Sequence, residues 1–265
     1  MKTHKAGWFV LGCIFSLPSH AQDKVSSQDF AGMWSDPPPT IEGMYCFGGC
    51  TDGGLEILYG MLDDPANDAV PLEQLIGKAF AKDLETELAP LLTDYSRPTF
   101  PLDQAKLPSF LKCEPWGFAD EIFTPHQFEI AVLDDRMELH YGEWDAHRTV
   151  YMDGRSPPAN EPDTIYGYST GRMDGDTLVI DTTHIKAGIL WSSMNHSNQL
   201  QAVERYTLSD DKQVLTMYVT MNDPIALSGP FTAKRFWNWA PDETIDPYVD
   251  CQIPTDYIEH QEERE

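Results

Sequence analysis

The stretch Tyr166–Thr183, YGYSTGRMDGDTLVIDTT, decides the fold class. Two runs of strand-favouring residues flank Asp174-Gly175, and an Asp-Gly pair in that setting is the strongest short-range signal for a two-residue hairpin loop. With those residues as the loop, Met173 is expected to face Asp176, Gly171 to face Leu178, Ser169 to face Ile180, and Gly167 to face Thr182. Side chains alternate along a strand, so one face sets small residues against aliphatics. The other face carries Tyr166, Tyr168, Arg172 and Asp181. Glycines spaced along a strand accompany a sharp bend or close packing against its backbone. The stretch predicts the middle of a curved antiparallel sheet.

Further strands are expected on both sides of it. Phe128–Leu133, Met137–Trp144 and His147–Met152 precede it, separated by turns at Asp134-Asp135 and Asp145-Ala146. That second turn would place His147 opposite Trp144, and Glu143 opposite Arg148 as a cross-strand ion pair. Leu200–Leu208, Val214–Met221 and Phe231–Trp239 follow. About eight regularly spaced antiparallel strands suggest a barrel over residues 126–241, because closure removes exposed edges.

Residues 36–125 have a different character. Pro37-Pro38-Pro39 ends a first strand placed within 22–35. Gly54–Leu62, Leu72–Leu84 and Glu85–Leu92 carry apolar residues at helical spacing, and Pro98, Pro101, Pro108 and Pro115 mark an extended crossing to the sheet. The expectation is a helical insert packed over one end of the barrel, either as a decoration or as a lid.

Residues 1–21 resemble a secretory signal, with Lys2 and Lys5 ahead of an apolar run and Ser19-His20-Ala21 before Gln22. Val10-Leu11-Gly12-Cys13 offers the alternative of a lipoprotein signal acylated at Cys13. No later run approaches the length of a membrane-spanning helix. Loss of Lys2 and Lys5 leaves 16 basic residues against 43 acidic ones, a formal charge of −27. Such a surface disfavours nucleic acid and anionic membranes. The tail 242–265 is acidic as well.

Cys46, Cys50, Cys113 and Cys251 remain after cleavage, an even number in an exported chain and therefore a disulfide framework. Four cysteines permit three connectivities; one closes Cys46 on Cys50 and joins Cys113 to Cys251. A metal at Cys46/Cys50 would need ligands from elsewhere, and no metal or cofactor is expected.

Phe30, Gly32 and Trp34 have the spacing Phe-x-Gly-x-Trp at the start of the mature chain, which resembles the lipocalin and calycin superfamily. That resemblance implies an up-and-down barrel in which Trp34 packs beneath an Arg of the last strand, here Arg235. Lipocalins pass straight from this strand into the meander, whereas here a long insert intervenes. The segment from Gln127 to Cys251 also resembles a family of exported bacterial proteins. The matching motifs are Tyr151-Met-Asp-Gly-Arg155, Gly167-Tyr-Ser-Thr-Gly-Arg172, Gly175-Asp-Thr-Leu-Val-Ile-Asp-Thr182 and Val203-Glu-Arg-Tyr206. No shared activity comes with that family.

Several residues carry candidate chemistry. His196 lies in a polar loop between strands and is followed by Ser197, with Glu204 in the next strand. His196 as general base, Glu204 as its orienting carboxylate and Arg148 as an anion stabiliser form the catalytic candidate. The plain alternative is a solvent-exposed loop histidine. Trp144, Tyr168, Trp191 and Tyr218 are candidates to line an apolar cavity, since an eight-stranded barrel holds one small ligand. A three-histidine metal site from His140, His147 and His184 is disfavoured by the expected pairing, in which His140 and His147 are not opposed. Gly-x-Ser-x-Gly at Gly167–Gly171 lies inside a strand rather than at a strand-to-helix elbow, so it is no esterase signature.

The resulting expectation is an exported, calycin-like antiparallel barrel that binds a small hydrophobic or amphipathic molecule. The alternative is a cyclase, isomerase, hydratase or hydrolase using the same cavity on a lipid-like or terpenoid substrate. A third is a structural protein with a filled core.

Overall fold

The computed structural model describes residues 24–97, 114–190 and 194–247. Strand β1 (Gly32–Ser35) opens a barrel continued by β2 (Phe128–Val132), β3 (Arg136–Tyr141), β4 (Ala146–Tyr151), β5 (Tyr168–Asp174) and β6 (Thr177–Thr183). A separate hairpin, β7 (Gly188–Leu190) and β8 (Met194–His196), follows. Strands β9 (Gln201–Leu208), β10 (Val214–Asn222) and β11 (Phe231–Trp239) then complete the wall. The closed order is β1-β11-β10-β9-β6-β5-β4-β3-β2. The first strand closes the barrel by pairing with both β2 and β11.

The β5–β6 hairpin forms, with a slipped loop. Asp174 pairs with Thr177, so the loop is Gly175-Asp176 rather than Asp174-Gly175, and Met173 faces Leu178, Gly171 faces Ile180 and Ser169 faces Thr182. Gly175 has φ +63° and Asp176 does not share the left-handed region. A glycine first in a two-residue loop is the II′ pattern, which suits the twist of the flanking strands as well as Asp-Gly does. The slip moves each partner by two residues, so the same residues share each face as expected. Gly171 is also closely packed: a Cβ there would lie 2.8 Å from Val150 Cγ1 and 2.5 Å from Met152 Sδ.

Two pairings differ from the up-and-down expectation. β5 runs parallel to β4 through Val150↔Ser169 and Tyr151↔Thr170. The connection 152–167 is long and proline-bearing, which permits the return crossing that parallel neighbours require. The β3–β4 loop is Gly142–Asp145, so Tyr141 pairs with Ala146 and His140 directly faces His147. Trp144 (φ 56°) and Asp145 (φ 52°) take left-handed conformations that lengthen this loop beyond the expected Asp145-Ala146 turn. Glu143 consequently does not face Arg148.

The insert is helical where its periodicity demands. Helix α1 (Ile41–Tyr45) is capped by Thr40 Oγ1, α2 (Asp52–Leu62) by Thr51 Oγ1, and α3 (Leu72–Asp83) runs on into a wider turn at Leu84–Leu88. Buried Asp83 joins them by accepting from Tyr45 Oη (3.1 Å), Thr51 N (3.1 Å) and Thr51 Oγ1 (2.6 Å). Cys46 and Cys50 are disulfide-bonded; Cys113 and Cys251 lie outside the described residues, as does the C-terminal tail from 248. The helices α1 to α3 of the insert pack against the side of the barrel rather than over an end. Cys50 exchanges backbone hydrogen bonds with Lys234, and Phe236, also on the outer face of β11, packs into the insert's small core. The reason is that β11 bears large side chains on both faces, and its outer row needs cover.

The barrel end is closed by the last part of the same insert, a turn that periodicity did not signal. Helix α4 (Phe118–Glu121) and the following Ile122 and Phe123 are buried just before β2 begins. At the other end, Asp29 pairs with Lys212, and Val25 N donates to Asp176 Oδ1 (3.2 Å). Inside, alternate residues of every strand interdigitate: Phe128 and Ile130, Met137 and Leu139, Leu178 and Ile180, Met217 and Val219 are all buried. Trp34 lies edge-on to Trp239 (5.2 Å between centroids), and its Nε1 donates to Phe30 O. No helix among the described residues is long and apolar enough to cross a membrane.

Candidate functional site: a polar cluster at the α4 end of the barrel

Strand alternation sends ionisable side chains into the interior from four strands. Tyr141 comes from β3, Arg148 from β4, Glu204 and Tyr206 from β9, and Arg235 and Trp237 from β11; all are buried. Arg148 reaches across the barrel to Glu204, with Nη2 donating to Oε2 (2.5 Å) and Nη1 to Oε1 (3.3 Å). Tyr206 Oη donates to the same Glu204 Oε1 at 2.7 Å, and Arg148 Nη1 lies 3.5 Å from Tyr141 Oη. Burial alone would suppress the Arg148 charge, but the attraction of Glu204 outweighs it and holds the guanidinium protonated. Burial pushes both tyrosine hydroxyls well above their ordinary range. Arg148 and Glu204 therefore form an ion pair, with Arg148 Nε left without a hydrogen-bond partner among the described residues.

Arg235 is held differently. Its Nη1 donates to Ile122 O (3.2 Å), and its guanidinium lies 4.5 Å over the Trp237 ring. Burial lowers its pKa to about 9. Arg148 likewise lies 5.1 Å over the Phe118 ring, so the two arginines seat α4 from below. Phe128, Tyr141 and Tyr206 complete an aromatic collar, with Phe128 5.6 Å from Tyr141 and Trp237 4.8 Å from Phe128.

Glu121 projects from α4 into this company. Burial first, then repulsion from Glu143, raises its pKa to about 9, so it is protonated at neutral pH. Burial likewise lifts Asp120 to about 7. Neither Glu121 carboxyl oxygen has a hydrogen-bond partner among the described residues, and the same holds for Arg235 Nε and Trp237 Nε1. At the rim, Glu143 accepts from Trp116 Nε1 (3.1 Å) and pairs with His126 Nε2 (2.5 Å).

Of the expected catalytic set, Arg148 and Glu204 meet, and His196 does not join them. His196 is buried on β8, with Nδ1 3.0 Å from Ser197 O, and burial lowers its pKa. Ser197 bonds to Asp223 instead, N to Oδ2 at 2.6 Å and Oγ to Oδ1 at 2.8 Å. Asp223 also accepts from Ile225 N and Ala226 N, so it organises the β10–β11 connection.

The expected aromatic lining does not converge. Tyr168 points outward against Tyr151 (5.1 Å). Tyr218 also points outward, lining a surface cleft of about 380 Å³ with Asp52 and Lys234. Trp144 sits in the β3–β4 loop, and Trp191 lies outside the described residues. Arg235, expected over Trp34, stacks on Trp237.

Sequence reasoning missed Glu121 and did not give Tyr141, Tyr206 or Arg235 a place in the site. The Ala202-Glu204-Tyr206 alternation marks an inward polar face once the register is known. Asp120-Glu121, set between Phe118-Ala119 and Ile122-Phe123, was the legible sign of buried acids. No family model matches the chain, and no curated protein or solved structure does.

Proposed function

We propose that the protein is an exported carrier that binds a small amphipathic molecule at the α4 end of the barrel, its polar head lying between α4 and β11. One observation supports this: the Glu121 carboxyl, Arg235 Nε and Trp237 Nε1 are buried together without hydrogen-bond partners among the described residues. Each such atom costs about 1–3 kcal/mol when left unpaired. A head group that accepts from Arg235 and Trp237, and from the Glu121 proton, removes that cost. With Glu121 neutral and Arg235 charged at neutral pH, a carboxylate or phosphate head suits the site best. Arg148 under Phe118 and Arg235 on Ile122 O hold α4 over this end, so entry requires α4 to swing away from them. The Cys46–Cys50 disulfide suits an oxidising compartment.

Native mass spectrometry of the protein purified from its own host tests this. The expected result is a retained small molecule that is lost in Arg235→Met and kept in Tyr218→Ala. A bare chain mass, together with no rise in melting temperature on adding fatty acids or lysophospholipids, would sink the reading. The alternative, an acid–base enzyme, is favoured by the neutral carboxyl of Glu121 beside Asp120, which can serve as a general acid. Under that reading Glu121→Gln retains the molecule and loses turnover.

A further inference from the structure

On the outside of the barrel, three side chains with metal-binding atoms meet on the β3–β4 hairpin. His140 and His147 are direct cross-strand partners. Their rings stack with centroids 4.1 Å apart and planes 13° apart. Asp145 completes the group: its Oδ1 lies 2.6 Å from His140 Nε2 and 3.6 Å from His147 Nε2. One ligand atom from each residue falls within 4.8 Å of the other two. The left-handed backbone at Trp144 and Asp145 returns the carboxylate over the strand pair. On the opposite side of His140, its Cα partner on β2 is the exposed Glu129, which extends the same outward row with a second carboxylate.

Two imidazoles and a carboxylate form a donor set that suits zinc and its transition-metal neighbours, rather than the all-oxygen shells of calcium or magnesium. Bonds of about 2.0–2.2 Å to a common centre place ligand atoms roughly 3–3.5 Å apart. The His147–Asp145 separation, 3.6 Å, lies just above this range. The His140–Asp145 contact has to open by less than about 1 Å, which rotation of the exposed Asp145 side chain accommodates, and the two stacked imidazoles have to tilt toward a common centre. Three protein ligands leave a position for water or for Glu129.

We propose that His140, Asp145 and His147 form a zinc-class metal site on the outer face of the barrel. It is independent of the interior site, because His140 and His147 project from the face opposite to Tyr141 and Arg148. His184, the third histidine of the set considered from sequence, takes no part: its Nδ1 lies 2.9 Å from Thr183 Oγ1 on another strand.

The test is calorimetric titration of zinc into the metal-stripped full chain and its variants, with urea midpoints measured in the absence of metal. The expected result is one site that weakens about 10–100-fold in His147→Gln and in Asp145→Asn, and disappears in the His140→Gln/His147→Gln double variant. His147 is largely exposed, with 60 % of its side chain accessible, so His147→Gln carries the test even if replacing His140 disturbs folding. Equal zinc affinity in the parent chain and His147→Gln overturns the proposal, as does an absence of zinc binding to the parent at micromolar concentration. Binding through the acidic surface or the cysteines would give that equality.

Discussion

Arg148 and Glu204 show how a buried charge pair behaves at the scale of single residues. Each is sealed from water and bonded to the other across the barrel. Removing one partner strands the other, at a cost of about 3–5 kcal/mol, whereas replacing both with apolar residues is close to neutral. Arg148→Met and Glu204→Gln are each expected to lower the urea midpoint sharply, and Arg148→Met/Glu204→Leu to recover most of the loss. Equal losses in the single and double variants would show that packing, and not charge, dominates there. Glu121 makes a prediction of its own. Its pKa rises from an ordinary 4.5 to about 9, so the folded chain holds a proton that the unfolded chain releases. Stability therefore falls as pH rises from about 4.5 to about 9, by up to about 1.4 kcal/mol per unit in mid-range. Asp120 adds the same sign of effect between 3.8 and about 7. Glu121→Gln should flatten the upper part of that profile, between pH 7 and 9, as measured by urea denaturation across pH.

At the scale of elements, the β5–β6 hairpin separates what local sequence decides from what pairing decides. Both Asp174-Gly175 and Gly175-Asp176 are acceptable two-residue loops, and they leave the same residues facing inward. The packing of Gly171 against Val150 and Met152 holds the strand where Gly175 comes first in the loop. Gly175→Val, which forces a β-branched residue to φ +63°, is expected to cost roughly 1–2 kcal/mol, while Asp174→Val, on the strand beside the loop, is expected to cost little. A thermal melt of the two variants decides it, and equal losses would return the loop to Asp174-Gly175. The insert follows a similar logic: helix periodicity and the Thr40 and Thr51 caps specify its helices, but Phe236 and Lys234 on the outer face of β11 specify where they dock.

For the whole molecule, charge is the dominant global property. A formal charge of −25 distributed over 265 residues makes the compact state repel itself. Salt screens that repulsion, with a Debye length that falls from about 30 Å at 0.01 M to about 8 Å at 0.15 M. The melting temperature should therefore rise between those concentrations, more with sodium chloride than with an uncharged osmolyte of equal osmolality. A fall with salt would mean that surface ion pairs such as Arg172–Asp181 outweigh the repulsion.

Alternation along the strands determined that the chain is mainly β and which residues share a face, and 3.6-residue spacing that the insert is helical. Those are local properties, set by the two-residue and 3.6-residue periods of strand and helix. Which face turns inward was left open, and Tyr168 and Tyr218, expected to line a cavity, point outward. Closure and contact belong to the tertiary structure. The parallel β4–β5 step, the direct opposition of His140 and His147, and the seating of α4 on Arg148 and Arg235 depend on loop lengths and on neighbours far away in sequence. The candidate site divides the same way. Glu204 and Arg148 were visible as isolated polar residues in strands, but their pairing with each other instead of with His196 was decided across the barrel, where strands that are distant in the chain turn their inward faces toward one another.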